Sequence, residues 1–436
     1  MVNAYVPGAS DRLGAEEQSL IERRDRALGP AYRLFYEEPV HIVRGSGVWL
    51  EDAAGDKYLD VYNNVTSVGH CHPKVVEAIQ RQTATLNTHT RYLHETILGY
   101  AEDLLTTFPE HLNHVMFTCT GSEANDLAYR ISKAYTGAAG VIVTSLAYHG
   151  ITDAVSQFSP SLGEFVPLGS HVRAVPAPDA YRFDRSTLAE KLAADVRAAI
   201  ADLHASGHKL AIFICDGIFS SDGVLSDPAG FLGMAVDEVR RAGGLYVADE
   251  VQPGFGRTGE AMWGYQRHGV SPDMVTIGKP MGNGQPIAGV VMRSDVVDHF
   301  GRHTRYFNTF GGNPVACAAA QAVLDVIREE RLVENAQKVG AYLLKGMAYL
   351  AERHEVIGDV RGAGLFVGVE FVRSSTGKEP DTARTTRFVN ELRRKRILIG
   401  AAGPHANVLK IRPPLVFSEE NVETLVAAAD EVLATI

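Results

Sequence analysis

Between His114 and Met292 the chain alternates short apolar runs with longer polar or helix-patterned stretches, and this rhythm narrows the fold more than any other feature. The runs are His114–Thr118, Gly140–Thr144, Val172–Val175, Leu210–Cys215, Leu245–Ala248, Met274–Ile277 and Ile287–Met292. A strand that is apolar throughout, rather than at alternate positions, has both faces covered, as in a parallel sheet flanked by crossover helices. These runs predict an α/β domain built on a mainly parallel, seven-stranded sheet. After Ser122, residues Leu127, Ala128, Ile131, Ala134 and Tyr135 share one face at helical spacing, so a helix opens directly after the first strand, with Ser122 as its expected cap.

Beyond Thr309 the texture changes. Val315–Glu329 reads as an Ala-rich helix, and Leu365–Phe371 and Val408–Ile411 read as short strands of a second, smaller α+β unit. Val48–Val61, turning at Gly55, reads as a small hairpin. The implied organisation is an N-terminal segment, 1–60, packing with the small unit, a large domain over 61–314, and a C-terminal small domain over 315–436.

Composition removes several function classes. Lys and Arg number 42 against 52 Asp and Glu, a net charge of −10, with no basic stripe to neutralise phosphates along a nucleic acid. Cys71, Cys119, Cys215 and Cys317 are scattered without a CxxC pair, which fits reduced intracellular thiols rather than a disulfide or zinc framework. His70 and His72 flank Cys71 but lack a second ligand pair at metal-binding spacing, so no metal is expected. No apolar run reaches bilayer length, and the first ten residues lack a basic patch followed by an apolar core, so the expected compartment is the cytoplasm.

Three segments bear on chemistry. Thr120-Gly121-Ser122 sits at a strand-to-helix junction, where free N–H groups and the positive helix end can hold a phosphate. Asp249 ends an apolar strand, where ligands gather in an open α/β sheet, and could keep a pyridine nitrogen protonated. Lys279 ends another strand before a Gly-rich turn; desolvated there, its amine could form a Schiff base. Singly these have ordinary readings, a helix cap, a solvated acid and a solvated lysine. Gly362-Ala363-Gly364 with Gly368 mimics a dinucleotide fingerprint, but a strand follows where that motif needs a helix.

Taken with Gly69-His70-Cys71-His72-Pro73, Tyr148-His149-Gly150, Asp249-Glu250-Val251-Gln252 and Thr309-Phe310-Gly311-Gly312-Asn313-Pro314, these segments make the chain resemble the class III, fold-type I pyridoxal-phosphate enzymes from Gly47 to Leu433. The resemblance implies pyridoxal 5'-phosphate as cofactor, Lys279 bonded to its aldehyde, Asp249 on the ring nitrogen and Tyr148 stacked on the ring. It further implies phosphate binding by Gly121 and Ser122, Gln252 near the ring hydroxyl, His149 behind Asp249, and a homodimer in which Thr309 reaches the neighbouring subunit's phosphate.

Leu86-Asn87-Thr88, Arg91-Tyr92-Leu93-His94, Tyr306-Phe307-Asn308-Thr309 and Gly403–Lys410 resemble the ethanolamine-phosphate phospho-lyase branch, which is itself similar to the alanine–glyoxylate aminotransferases. Many relatives carry arginine where this chain has Lys410, and lysine offers a point charge instead of a two-pronged carboxylate grip, although Arg412 could replace that grip. Asp216, in Cys215-Asp216-Gly217, stands where many relatives have a Glu-Pro pair near the substrate, and the shorter acid would leave more room or remove a gating ion pair. The expected reaction is phosphate elimination from phosphoethanolamine or a similar small amino phosphate; the alternative is an ω-amine or amino-acid aminotransferase. Arg33, Arg91, Lys410 and Arg412 are the candidate substrate-binding residues.

Overall fold

The computed structural model describes residues 4–8, 12–374 and 376–436. An N-terminal ribbon forms first: β1 (Ile42–Ser46), β2 (Trp49–Asp52) and β3 (Lys57–Asp60), with the expected hairpin turning at Gly55. The central sheet follows, from β4 (His114–Thr118), β5 (Gly140–Thr144), β6 (Val172–Val175), β7 (Leu210–Cys215), β8 (Leu245–Asp249), β9 (Met274–Ile277) and β10 (Ala288–Met292). Its strand order is β4-β10-β9-β8-β7-β5-β6.

Pairings from β9 through β8, β7 and β5 to β6 are parallel, whereas β10 runs antiparallel to both β4 and β9. Every residue of β5, β7, β8, β9 and β10 is buried, which explains the unbroken apolar runs: helices cover both faces. At about 1.5–3 kcal/mol for each fully buried Val, Ile, Leu or Phe, these strands make the sheet the rigid layer of the molecule.

The helix after β4 spans Gly121–Thr136 and buries Ala124, Leu127, Ala128 and Ile131. Its cap differs from the sequence expectation. Thr120, not Ser122, is the N-cap: Thr120 Oγ1 accepts from Glu123 N (3.2 Å), and Glu123 Oε2 accepts from Thr120 N (3.0 Å) and Cys119 N (2.8 Å). A Thr with Glu three residues on can satisfy donors in both directions, which displaces the competing Ser two positions later.

The C-terminal region supplies β11 (Ile357–Ala363), β12 (Phe366–Phe371), β13 (Ile397–Leu398), β14 (Gly400–Ala402) and β15 (Val408–Ile411). Four of these form a sheet of order β11-β12-β15-β14, while β13 pairs parallel with β3 and joins the N-terminal ribbon. Gly362 and Gly364 lie at the β11–β12 turn, so the apparent dinucleotide fingerprint is a hairpin. His70 Nε2 meets Asp60 Oδ2 at 2.7 Å and His72 Nε2 meets Glu330 Oε1 at 3.0 Å. Among the described residues no helix is long and apolar enough to cross a membrane.

Candidate active site

The ends of two neighbouring strands bring the acid and the lysine together. Asp249 is the last residue of β8 and pairs in register with Thr276 of β9; Lys279 follows β9 after Gly278. Both line one cavity, together with Gly121, Ser122, Tyr148, His149 and Gln252. This is the end of the sheet where parallel strands finish and helices begin.

Asp249 is 5% exposed, and both of its carboxylate oxygens have partners, with one acceptor site on Oδ1 still open. Oδ2 accepts from Asn125 Nδ2 (3.0 Å) and lies 2.7 Å from His149 Nδ1; Oδ1 accepts from Val251 N (3.1 Å). Because a carboxylate only accepts, its partner assigns the His149 proton to Nδ1. Asn125 also donates to the His149 backbone carbonyl (2.7 Å), so one side chain ties the acid and the His149 backbone to the same helix. The result is a fixed negative edge.

Lys279 has a left-handed backbone (φ +28°), a sparsely populated conformation for a non-glycine residue. Burial, reinforced by the charge of Arg412, brings its amine down to about 8, against the opposing pull of Asp249 and Asp216. Roughly a tenth of this lysine is therefore uncharged and nucleophilic at pH 7, a few hundred times more than for a lysine at its ordinary value.

The third part is the helix start. Gly121 and Ser122 occupy the first two helical positions, where amide N–H groups have no intrahelical acceptor. Gly150 (φ +143°) packs so closely that a β-carbon there would lie 2.5 Å from Ser122 Oγ, and Ile151 N donates to that oxygen at 3.1 Å. A β-carbon on Gly121 would press on Val251 at 3.1 Å. The bare backbone at these two glycines is what leaves the helix end open.

A fixed carboxylate, a low-pKa lysine and a helix N-terminus round one cavity, with Tyr148 on its wall and 38% exposed, fit the nitrogen, aldehyde and phosphate of pyridoxal phosphate. They define a pyridoxal-phosphate site at the end of an α/β sheet.

Other expected residues lie elsewhere. Arg412 is buried beside the cavity: its Nη1 donates to Gln252 Oε1, and its guanidinium lies 4.6 Å from the Tyr62 ring centroid. Lys410 is 8% exposed with Nζ 5.6 Å from the Phe366 ring; burial and Arg412 push its amine well down, and Asp216 opposes them. Neither cation lines the cavity. Thr309, Arg33 and Arg91 are exposed and stand apart from it within one chain, Arg91 stacking 3.8 Å over Phe307.

Asn125, Gly150 and Val251 line the cavity without having been singled out as site residues, and Asp216, expected near the substrate, lines it too. The signal for Asn125 was its position three residues after Ser122, one turn along the same helix face.

Comparison with known proteins agrees with this geometry. The family pattern described as Aminotransferase class-III matches residues 35–433. The chain is 39% identical over 437 residues to Ethanolamine-phosphate phospho-lyase homolog 1 of Caenorhabditis elegans, covering 96% of this chain and 93% of that protein. It is also 39% identical over 443 residues to Alanine–glyoxylate aminotransferase 2-like of Drosophila melanogaster, covering 98% and 89%. Among solved structures, a phospholyase from Arthrobacter in complex with phosphoethanolamine matches with a TM-score of 0.93 at 46% identity, over 96% of this chain and all of that one (100%). The chain belongs to the class III aminotransferase family, whose transaminase members are pyridoxal-phosphate-dependent enzymes.

Proposed function

We propose that this protein is a pyridoxal-phosphate-dependent phospho-lyase that eliminates phosphate from phosphoethanolamine, or from a similar small amino phosphate. With one water consumed, phosphoethanolamine gives acetaldehyde, ammonia and phosphate. The observation that carries the reading is 46% identity, over almost the whole chain, to a phospholyase solved with phosphoethanolamine.

The cofactor, when bound, supplies an electron sink for the carbon bearing the substrate amine. Lys279 Nζ takes the proton from that carbon, a role suited to an amine with a proton midpoint near 8. Asp249 holds a proton on the ring nitrogen, and His149 and Asn125 keep its carboxylate aimed. The Gly121 and Ser122 amides would hold the cofactor phosphate, with Tyr148 available to cover its ring and Gln252 to meet its hydroxyl, all four lining the cavity. The electrons released at the amine-bearing carbon then break the neighbouring C–O bond, and phosphate leaves.

We also propose a homodimer in which Thr309 completes the second copy's phosphate site. Arg91, stacked on Phe307, travels with that segment and adds a cation at the cavity mouth. Arg412, buried beside the cavity, adds positive field there.

Release of phosphate and acetaldehyde from phosphoethanolamine, with no keto acid present, is the test; absence of both products rejects the proposal. Lys279→Ala should lose the visible absorbance that survives dialysis in the wild type. The likeness to an alanine–glyoxylate aminotransferase 2-like protein supports a second reading, amino transfer. In that case alanine bleaches the visible band and pyruvate restores it.

A further inference from the structure

The segment after β7 carries Asp216 into the cavity wall beside Lys279, and its backbone is unusual. Phe219 (φ +46°) and Val224 (φ +60°) are both left-handed, and Val224 is β-branched, the side-chain type least suited to that region. Such a conformation persists only where its surroundings over-determine it. Inside the segment, Asp216 accepts from Ile218 N (3.0 Å), Ser220 N (3.0 Å) and Ser220 Oγ (2.7 Å). Phe219 N donates to Asp216 O (3.2 Å), and Phe219 O accepts from Gly223 N (3.2 Å) and Val224 N (3.1 Å). Any shift at 223–224 is thus passed to Asp216.

What holds 223–224 comes from the C-terminal sheet. Arg361 of β11 donates from Nε to Gly223 O (3.1 Å) and Val224 O (3.0 Å), and from Nη2 to Gly223 O (2.7 Å). Its Nη1 is anchored on Asp359 (2.7 Å) and Glu370 (2.8 Å). The Val224 side chain is buried against Ile218 and Phe366. We propose that Arg361 is a positioning residue for the active site: it grips the strained 216–224 segment and thereby fixes Asp216 at its distance from Lys279.

The consequence is electrostatic. Asp249 from β8, Asp216 after β7 and Arg412 after β15 act on the Lys279 amine; Asp249 and Lys410 act on Asp216 in turn. Displacing Asp216 removes negative charge from the lysine. The inference rests on Lys279 as the cofactor-bearing residue, and it holds whichever substrate the enzyme uses.

The experiment is a spectroscopic pH titration of purified holoenzymes, following the visible band of the lysine-bound cofactor. Asp216→Asn should lower the midpoint, because a neutral neighbour no longer favours the protonated nitrogen. Arg361→Gln should lower it too, by at least about 0.3 pH, a twofold change in proton affinity. The double variant should move no further than Asp216→Asn alone, as coupled residues do. Arg182→Gln is the control: Arg182 binds the same Glu370 but does not touch 216–224, so it should keep the wild-type midpoint.

A wild-type midpoint in Arg361→Gln, an equal shift in Arg182→Gln, an additive double variant or an unmoved Asp216→Asn each overturns the proposal. Should Arg361→Gln not fold, Arg361→Lys keeps the charge but not the forked grip, and it carries the same expectation at smaller size. Absence of a visible band in the wild type would instead sink the cofactor reading itself.

Discussion

Gly150→Ala tests whether the cavity depends on the close approach between the Tyr148–Ile151 segment and the helix start. An added β-carbon would lie 2.5 Å from Ser122 Oγ and 2.7 Å from both Ser122 Cα and Cβ. The backbone at φ +143° costs an alanine about 1–3 kcal/mol. The overlap adds roughly another 1–3 kcal/mol. The helix cannot retreat, because the Thr120–Glu123 capping box pins its first turn and Ala124, Leu127 and Ala128 are buried beneath it. The Gly150 side must move instead, breaking the Ile151 N to Ser122 Oγ bond and carrying Tyr148 away.

Without cofactor that segment relaxes, and binding has to pull it back. If about 2 kcal/mol of the total appears in this way, cofactor affinity falls roughly 30-fold. Titration of the apoprotein with pyridoxal phosphate, read by absorbance, measures the loss. Gly207→Ala supplies the control: it has a positive φ (+83°) at a turn with nothing within 4 Å, so it should lower thermal stability and leave affinity alone. Gly150→Ala binding within about threefold of wild type, with unchanged melting of the apoprotein, would show that the segment has slack and refute the reasoning.

Asn125→Ala removes the donor shared by Asp249 and His149 O, a hydrogen bond to a charged group worth about 1.5–3 kcal/mol. The expected outcome is kcat lowered at least about tenfold, and steady-state kinetics matching wild type would contradict it. In the apoprotein, peptide-mapped labelling of Lys279 by an amine-directed reagent should reach half its maximum near pH 8 rather than 10.5, because burial and Arg412 disfavour the ammonium; a midpoint near 10.5 would contradict that. Asp222, driven up to about 6 chiefly by burial, costs stability as pH rises from 3.8 through 6 and the buried acid must ionise. Asp222→Asn can still accept from Leu146 N and can donate to Thr144 Oγ1, so chemical denaturation at pH 7.5 should find it more stable by up to about 3 kcal/mol, with that pH dependence gone.

The central sheet was legible because burial on both faces leaves unbroken apolar runs, and each of the seven runs became a strand. Direction was not. The antiparallel β10 shows the same pattern as its parallel neighbours, since covered faces look alike in either orientation. At the helix start the sequence offered two hydroxyl residues, and the choice turned on Glu123, whose carboxylate pairs with Thr120. Lys279, Asp249 and Ser122 were readable from their places at strand ends and at the helix start. Asn125 takes part through Asp249, 124 residues away, which local pattern does not reveal, whereas Asp216 was expected near the substrate from the family resemblance.

The change to lysine at position 410 takes on a different meaning once its surroundings are known. Lys410 pairs across β15 with Gly368 and Gly400, residues without side chains, and its amine sits over Phe366. It is sealed behind the cavity beside Arg412 and answered by Asp216. Lys279, Lys410 and Arg412 interact with Asp216, Asp222 and Asp249 as one charge network, in which burial drives both lysine amines toward the neutral form. Burial and Arg412 favour its neutral form at position 410, and a sealed amine that does not line the cavity cannot grip a carboxylate in two prongs. The protonation of Lys279 therefore depends on how that network is set, and Arg361 is one of the residues proposed to set it.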